Sequence, residues 1–191
     1  SGGGLKITTT FDKDAQQAAV DAAQKYTKQS AGAVGRKSSK LHAALASVDV
    51  NSGEVLALYG GRDFVKNSRN WATTPRPTAS TFKTYALAAG LKDGFSLADT
   101  FNGNSWTPPG DRNPVRNEFS HQYGQKVDLI KATANSINTA FVDLTTQMDN
   151  GPRKIMKIAK AVGAPKGAGW DNNDRIPLGT AEVSPLAQAS A

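Results

Sequence analysis

Ser80-Thr81-Phe82-Lys83 sets a hydroxyl and an amine three residues apart, where a polar loop gives way to a helical pattern. Side chains at i and i+3 share a helix face, so the lysine amine can approach the serine hydroxyl. The helix N-terminus also favours negative charge developing beside it. A serine hydroxyl attacks poorly at neutral pH unless a neighbour takes its proton, and a lysine can do so only when burial or a nearby cation lowers its pKa. Ser80 and Lys83 thus read as nucleophile and base; they read equally as a helix cap followed by a surface lysine. Ser136-Ile137-Asn138 falls between two short helical patterns. A hydroxyl there can relay a proton between the lysine and a leaving group, and an amide can hold both the lysine and a substrate carbonyl. Ser and Asn also favour such breaks simply as helix stop and cap. Ser68-Arg69-Asn70 repeats the S-x-N spacing, but it precedes Ser80 in a polar loop and is set aside as a chance match.

The elements that must position these groups can be read from periodicity and punctuation. Leu5 to Thr10 alternates as a short strand, and Asp12 then caps a helix in which Ala15, Ala18, Ala19, Ala22, Ala23 and Tyr26 recur at helical spacing, ending near Gln29. A Ser/Gly/Lys loop from Ser30 to Lys40 leads to a strand over Ala43 to Val50, a turn at Asn51-Ser52-Gly53 and a second strand over Glu54 to Tyr59, which together make a hairpin. After Gly60-Gly61 a polar loop runs to Ala79, and the spacing predicts a helix from Ser80 to about Lys92. Thr100 to Lys126 carries Gly, Pro and Asn without a period, which suggests the wall of a site rather than a passive connection. Helices are expected over Asp128 to Ala134, Thr139 to Met148 and Pro152 to Val162, and Ser184-Pro185 opens another.

Composition narrows the chemistry. The 191 residues include no cysteine, which excludes disulfides, thiolate metal sites and a thiol nucleophile. His42 and His121 are the only histidines and belong to no metal-ligand spacing, so neither a metal nor a cofactor is expected. Lys and Arg number 23 against 16 Asp and Glu, a net +7 that favours polyanions in general. The basic runs, Arg36-Lys37 with Lys40 and Arg153-Lys154 with Lys157 and Lys160, lack interleaved aromatics and read as solvated faces; nucleic acid is not an expected partner. No stretch approaches the 18 apolar residues of a membrane span, and Ser1-Gly2-Gly3-Gly4 reads as a linker or cloning remnant.

S-x-x-K followed by S-x-N resembles the penicillin-binding proteins and serine β-lactamases, in which a K-T-G triplet comes third. The resemblance extends from Thr8-Thr9-Thr10-Phe11-Asp12, through Asn51-Ser52-Gly53-Glu54-Val55-Leu56-Ala57, to Leu178-Gly179-Thr180-Ala181-Glu182-Val183-Ser184-Pro185-Leu186. Gly60-Gly61-Arg62-Asp63-Phe64 and Asn70 to Thr73 are similar to the bifunctional class A members. Arg62 and Asp63 also read as an ion pair holding a loop. Two departures stand out: Arg76-Pro77-Thr78-Ala79 replaces the usual Gln-Pro-Gly before the nucleophile, and no K-T-G, K-S-G or R-T-G occurs. Lys92-Asp93-Gly94 has an acidic centre and comes too early.

The resemblance implies an α+β fold of the penicillin-binding and serine β-lactamase type, an antiparallel sheet flanked by helices plus an all-helical lobe within about residues 95–180, with the sheet incomplete. Residues 5–191 would be the first part of a transpeptidase domain. It implies a serine D,D-transpeptidase in which Ser80, Lys83, Ser136 and Asn138 are catalytic, peptidoglycan stem peptides are substrates and β-lactam antibiotics acylate Ser80. A complementary polypeptide segment carrying the K-T-G strand is the expected partner. The expected location is the extracytoplasmic bacterial cell envelope, with the natural protein anchored in the cytoplasmic membrane by a segment outside this sequence. A scaffold that binds peptidoglycan or a partner without catalysis is the alternative, given the missing triplet.

Overall fold

The computed structural model of the chain describes residues 3–191; Ser1 and Gly2 of the expected linker lie outside the described residues. Along the chain come α1 (Lys13–Ala33), β1 (Leu45–Val48), β2 (Val55–Tyr59), β3 (Arg76–Pro77), α2 (Lys83–Lys92), β4 (Thr100–Phe101), β5 (Val127–Asp128), α3 (Leu129–Ala134), α4 (Asn138–Gln147), α5 (Gly151–Ala161), β6 (Glu182–Val183) and α6 (Pro185–Ser190). They fall into two compact units, one made of residues up to Pro75 with Ser184–Ala191, the other of Arg76–Val183.

In the first unit Asp12 caps α1 as expected, its Oδ1 accepting the Ala15 N–H at 2.7 Å. Ala19, Ala23, Thr27 and Ala31, four residues apart, form the buried stripe. The helix runs to Ala33 rather than Gln29, because its stop signal lies further on at Gly35. That glycine has φ +62, and the Arg36 N–H closes onto Ala31 O. β1 and β2 pair antiparallel, Leu45 opposite Tyr59, with an irregularity between Ser47 and Val48. Ala19 and Ala23 pack on Ala57 and Tyr59 of the hairpin. The strands are shorter than expected at Ala43, Ala44, Asp49, Val50 and Glu54. Leu5 to Thr10 forms no strand: Leu5 and Ile7 are 85% and 79% exposed. The alternation there meets no burying partner among the described residues, and the segment is tied to β2 through Thr10 Oγ1 on Val55 O and Asp12 N–H on Leu56 O. Asp63 pairs with Lys66 at 3.3 Å, not with Arg62, and its Oδ1 accepts the Val65 and Lys66 N–H groups, an Asx turn that needs no arginine.

The second unit holds helices α2 to α5 around Phe82, Phe141, Leu129, Ile137, Leu144, Ile155 and Ile176, all at most 1% exposed. Phe82 sits edge-on to Tyr85 and Trp170, with ring centroids 5.0 and 5.5 Å away. α2 and α4 approach closely at Gly90, where a Cβ would lie 3.0 Å from Leu144. Two small antiparallel pairs, β3 with β6 and β4 with β5, complete the unit. α5 follows its sequence signals, with Pro152 in its first turn and Gly163 at φ +96 just past its end. Of the basic residues on α5, Lys154 ion-pairs with Asp93.

Candidate active site

Ser80 is reached through a backbone that the sequence does not make easy. The expected α-helix begins three residues later; Ala79–Phe82 is a 3₁₀ turn, and Lys83 is the first residue of α2. In a 3₁₀ turn residues i and i+3 eclipse, which brings the two side chains together more directly than α-helical spacing does. Ala79 has φ +50, a left-handed conformation costing a non-glycine residue on the order of 1 kcal/mol. The position is held from outside. Ala79 N–H donates to Gly179 O at 3.1 Å and Thr78 N–H to Ala181 O at 3.1 Å, with Thr78 Oγ1 on the same oxygen at 3.0 Å. Gly179, itself at φ +82, lies so close that a Cβ there would stand 2.0 Å from Ala79 O.

The second pair of residues stands on a helix stop. α3 ends in a Schellman turn, with Ser136 N–H on Thr133 O and Ile137 N–H on Ala132 O, and Ser136 occupies the left-handed position at φ +52. Ile137 is buried beneath the turn and Asn138 opens α4. The turn aims both the carbonyl and the hydroxyl of Ser136 at Lys83.

All four expected site residues converge on one nitrogen. Lys83 Nζ lies 2.9 Å from Ser80 Oγ, 2.9 Å from Ser136 O, 3.0 Å from Ser136 Oγ and 2.6 Å from Asn138 Oδ1. Asn138 Nδ2 donates to Arg116 O at 3.1 Å, which fixes the amide with its oxygen toward the lysine. Lys83 is only 4% exposed. Burial pulls its pKa down from 10.5 to about 8, and the Glu118 carboxylate opposes that shift.

Several groups at this site carried no motif in the sequence. Asn117, 7% exposed, makes four hydrogen bonds: Oδ1 accepts from Thr139 N–H and Oγ1, both at 3.1 Å, and Nδ2 donates to Gly103 O at 2.8 Å and His121 O at 2.9 Å. It caps α4, whose own N-cap residue Ile137 has no side chain able to do so. Asn117 and Glu118 belong to the aperiodic segment expected to be a wall, and their Asn and Glu types alone do not set them apart there. They border a cleft of about 650 Å³ with Ser80, Ser136 and Asn138, and His121 and Tyr123 line it too. His42, by contrast, stacks on Trp71 in the other unit, 4.3 Å between ring centroids. No helix of the described residues is long and apolar enough to cross a membrane, and no group of three or more His, Asp or Glu is placed there to hold a metal.

The sequence profile of the penicillin binding protein transpeptidase domain matches residues 43–189. Penicillin-binding protein 1A of Mycolicibacterium smegmatis is 30% identical over 200 residues, covering 98% of this chain and 24% of its own length. Penicillin-binding protein 1B of Escherichia coli is 28% identical over 206 residues, covering 98% and 22%. The chain thus spans about a quarter of the length of these curated relatives. The PonA1 protein of Mycobacterium tuberculosis, solved in complex with penicillin V, superposes with a TM-score of 0.78 at 25% identity, over 95% of this chain and 48% of that one. That likeness extends the small antiparallel pairs and surrounding helices to a shared α+β fold. On the profile match and these relatives together, the chain belongs to the penicillin-binding protein transpeptidase domain family, alongside class A members.

Proposed function

We propose that the chain carries the nucleophile half of a serine D,D-transpeptidase site acting on peptidoglycan stem peptides in the bacterial cell envelope. The observation that carries this reading is the buried Lys83 Nζ, 2.9 Å from Ser80 Oγ. An ammonium has three N–H donors, whereas four oxygens lie within 3.0 Å of this nitrogen. A neutral amine also has three positions, two N–H donors and a lone pair, but only this form can accept from a hydroxyl. Two N–H groups serve Asn138 Oδ1 and Ser136 O, and the lone pair is left to accept a proton from Ser80. With a pKa of about 8, roughly one lysine in ten is already neutral at pH 7.

Ser80 Oγ attacks the penultimate D-alanine carbonyl as Lys83 takes its proton. Ser136 Oγ, 3.0 Å from the same nitrogen, relays that proton to the departing terminal D-alanine. Asn138 keeps the lysine in place and presents its amide to the substrate. The Ser80 N–H, at the start of its turn, is one oxyanion donor. In this reading a segment carrying K-T-G is the complementary partner: its strand supplies the second donor and receives the substrate carboxylate. An amine on a neighbouring stem then takes the acyl group. β-Lactams acylate the same serine, as the penicillin V complex of the PonA1 relative suggests by analogy.

Mass spectrometry after benzylpenicillin treatment, of the chain alone and with a K-T-G segment supplied, should place the adduct on the peptide containing Ser80. An adduct on Ser136, or one that persists in Ser80→Ala, overturns the assignment. No adduct under either condition favours the non-catalytic scaffold instead.

A further inference from the structure

Glu118 is the only acid among the residues lining the cleft beside Ser80. Its side chain is exposed and takes part in no ion pair among the described residues. It is nevertheless close enough for its charge to act on Lys83. The carboxylate does not stand on a loose loop. Asn117 anchors the preceding residue with four hydrogen bonds, and the Glu118–Ser120 turn that follows holds Phe119 and Ser120 in left-handed conformations at φ +52 and +56. The next residue, Phe119, is 95% exposed and lines the same cleft, so an apolar residue follows the acid directly along its wall. In a chain of net charge +7, a lone carboxylate at the nucleophile selects cations locally.

A carboxylate flanked by an exposed ring fits a particular chemical shape, a cationic nitrogen at the end of an aliphatic stem. The nitrogen meets the carboxylate and the face of the ring, and the methylenes lie along the ring. We propose that Glu118 and Phe119 form the acceptor subsite, taking the alkylammonium side chain of the stem peptide that resolves the acyl-enzyme. This rests on the transpeptidase reading above. In the transfer, the ammonium releases one proton to water and the free amine nitrogen forms a C–N bond with the acyl carbon. The C–O bond to Ser80 breaks, and the second amine proton passes through Lys83 to the serine oxygen.

Two measurements on Glu118→Gln test this. In the first, the chain is titrated by NMR with Nα-acetyl-lysinamide and with its uncharged counterpart Nα-acetyl-norleucinamide. The parent should prefer the charged probe, with shifts at Glu118 and Phe119, and the variant should lose that preference by about twofold to fivefold, the span of an exposed charge contact. In the second, acyl transfer from a thioester donor to acetyl-lysinamide is compared with transfer to hydroxylamine, which is uncharged at neutral pH. The ratio should fall by the same factor through the acceptor KM, and Phe119→Ala should lower it in the same direction. Equal binding of both probes by the parent, or an unchanged ratio in Glu118→Gln, overturns the proposal. If the parent forms no acyl-enzyme even with a K-T-G segment supplied, the transpeptidase reading fails, and the binding titration still decides the role of Glu118.

Discussion

Replacing Asn117 should damage both the fold and the site, by an amount that can be worked from its four hydrogen bonds. Asn117→Ala leaves the fully buried Thr139 N–H and Oγ1 hydroxyl without their acceptor and His121 O without its donor, while Gly103 O keeps the Tyr123 N–H at 3.2 Å. Each buried unsatisfied group costs about 1–3 kcal/mol, with water entry keeping the sum toward the low end at the exposed His121, so a loss of about 2–4 kcal/mol is expected. Asn117→Asp separates the contributions. It keeps an acceptor for Thr139 but turns a second oxygen toward two carbonyl oxygens 2.8 and 2.9 Å away. Such a carboxyl is held protonated, so its folded pKa lies above its unfolded value of about 4. The folded variant then binds more protons than the unfolded one above pH 4. Its stability relative to the parent is therefore best below that pH and falls as pH rises toward the folded pKa, by about 1.4 kcal/mol per pH unit. Urea unfolding followed by tryptophan fluorescence at pH 4 and pH 7, parent and variants side by side, reads both effects. The reasoning is refuted if Asn117→Ala lies within about 1 kcal/mol of the parent, or if the Asp variant shows the same deficit at both pH values.

Lys83→Arg keeps a positive charge that cannot be given up, so acylation of Ser80 should fall by about two to four orders of magnitude; near-normal labelling would mean another base. In the parent, the acylation rate should climb with pH to a midpoint of about 8, because burial lowers the Lys83 pKa and the neutral amine is the reactive form. The same shift makes the folded chain bind fewer protons than the unfolded one from about pH 8 to 10.5, so the contribution of Lys83 to stability grows across that window, visible in a denaturation series. Gly179→Ala should cost about 3 kcal/mol or more and abolish labelling, since its Cβ would meet the Ala79 backbone at 2.0 Å; a stable, reactive variant would show that the loop has room to move.

What the sequence disclosed and what it concealed follow a physical division. Groups whose meaning lies within a few residues were legible: the Asp12 cap, the Asn51-Ser52-Gly53 turn, Pro152 and Gly163 around α5, and the Ser184 side chain accepting the Ala187 N–H at 3.2 Å. The spacing of Ser80, Lys83, Ser136 and Asn138 was legible too, and the structure brings them within 3.0 Å of one nitrogen. Their catalytic roles rest on the experiments above. Asn117 was illegible because its value comes from Gly103, His121 and Thr139, which no local pattern joins to it. The false strand at Leu5 to Thr10 errs the opposite way: alternation states what a segment can bury, not whether a neighbour is there to bury it. The end of α1 was misplaced for a simpler reason, in that the small residues Ser30 to Ala33 after Gln29 tolerate helix until Gly35 supplies the stop.

The tie between the nucleophile turn and Gly179 and Ala181 also sets an order of events during synthesis. Thr78 and Ala181 are 103 residues apart, so the contact that holds Ala79 in its unfavourable conformation closes a very long loop. A ribosome extending the chain from its N-terminus exposes Ser80 and Lys83 well before it makes residues 179–183. Through that interval α2 can form, yet the preceding turn has nothing to hold it left-handed, and the serine is displayed without its frame. Contacts of this separation form late in folding. On the transpeptidase reading proposed above, a nascent chain would stay inert toward acylating agents until the second unit has been made nearly to its end, and chemical competence would report on completed folding.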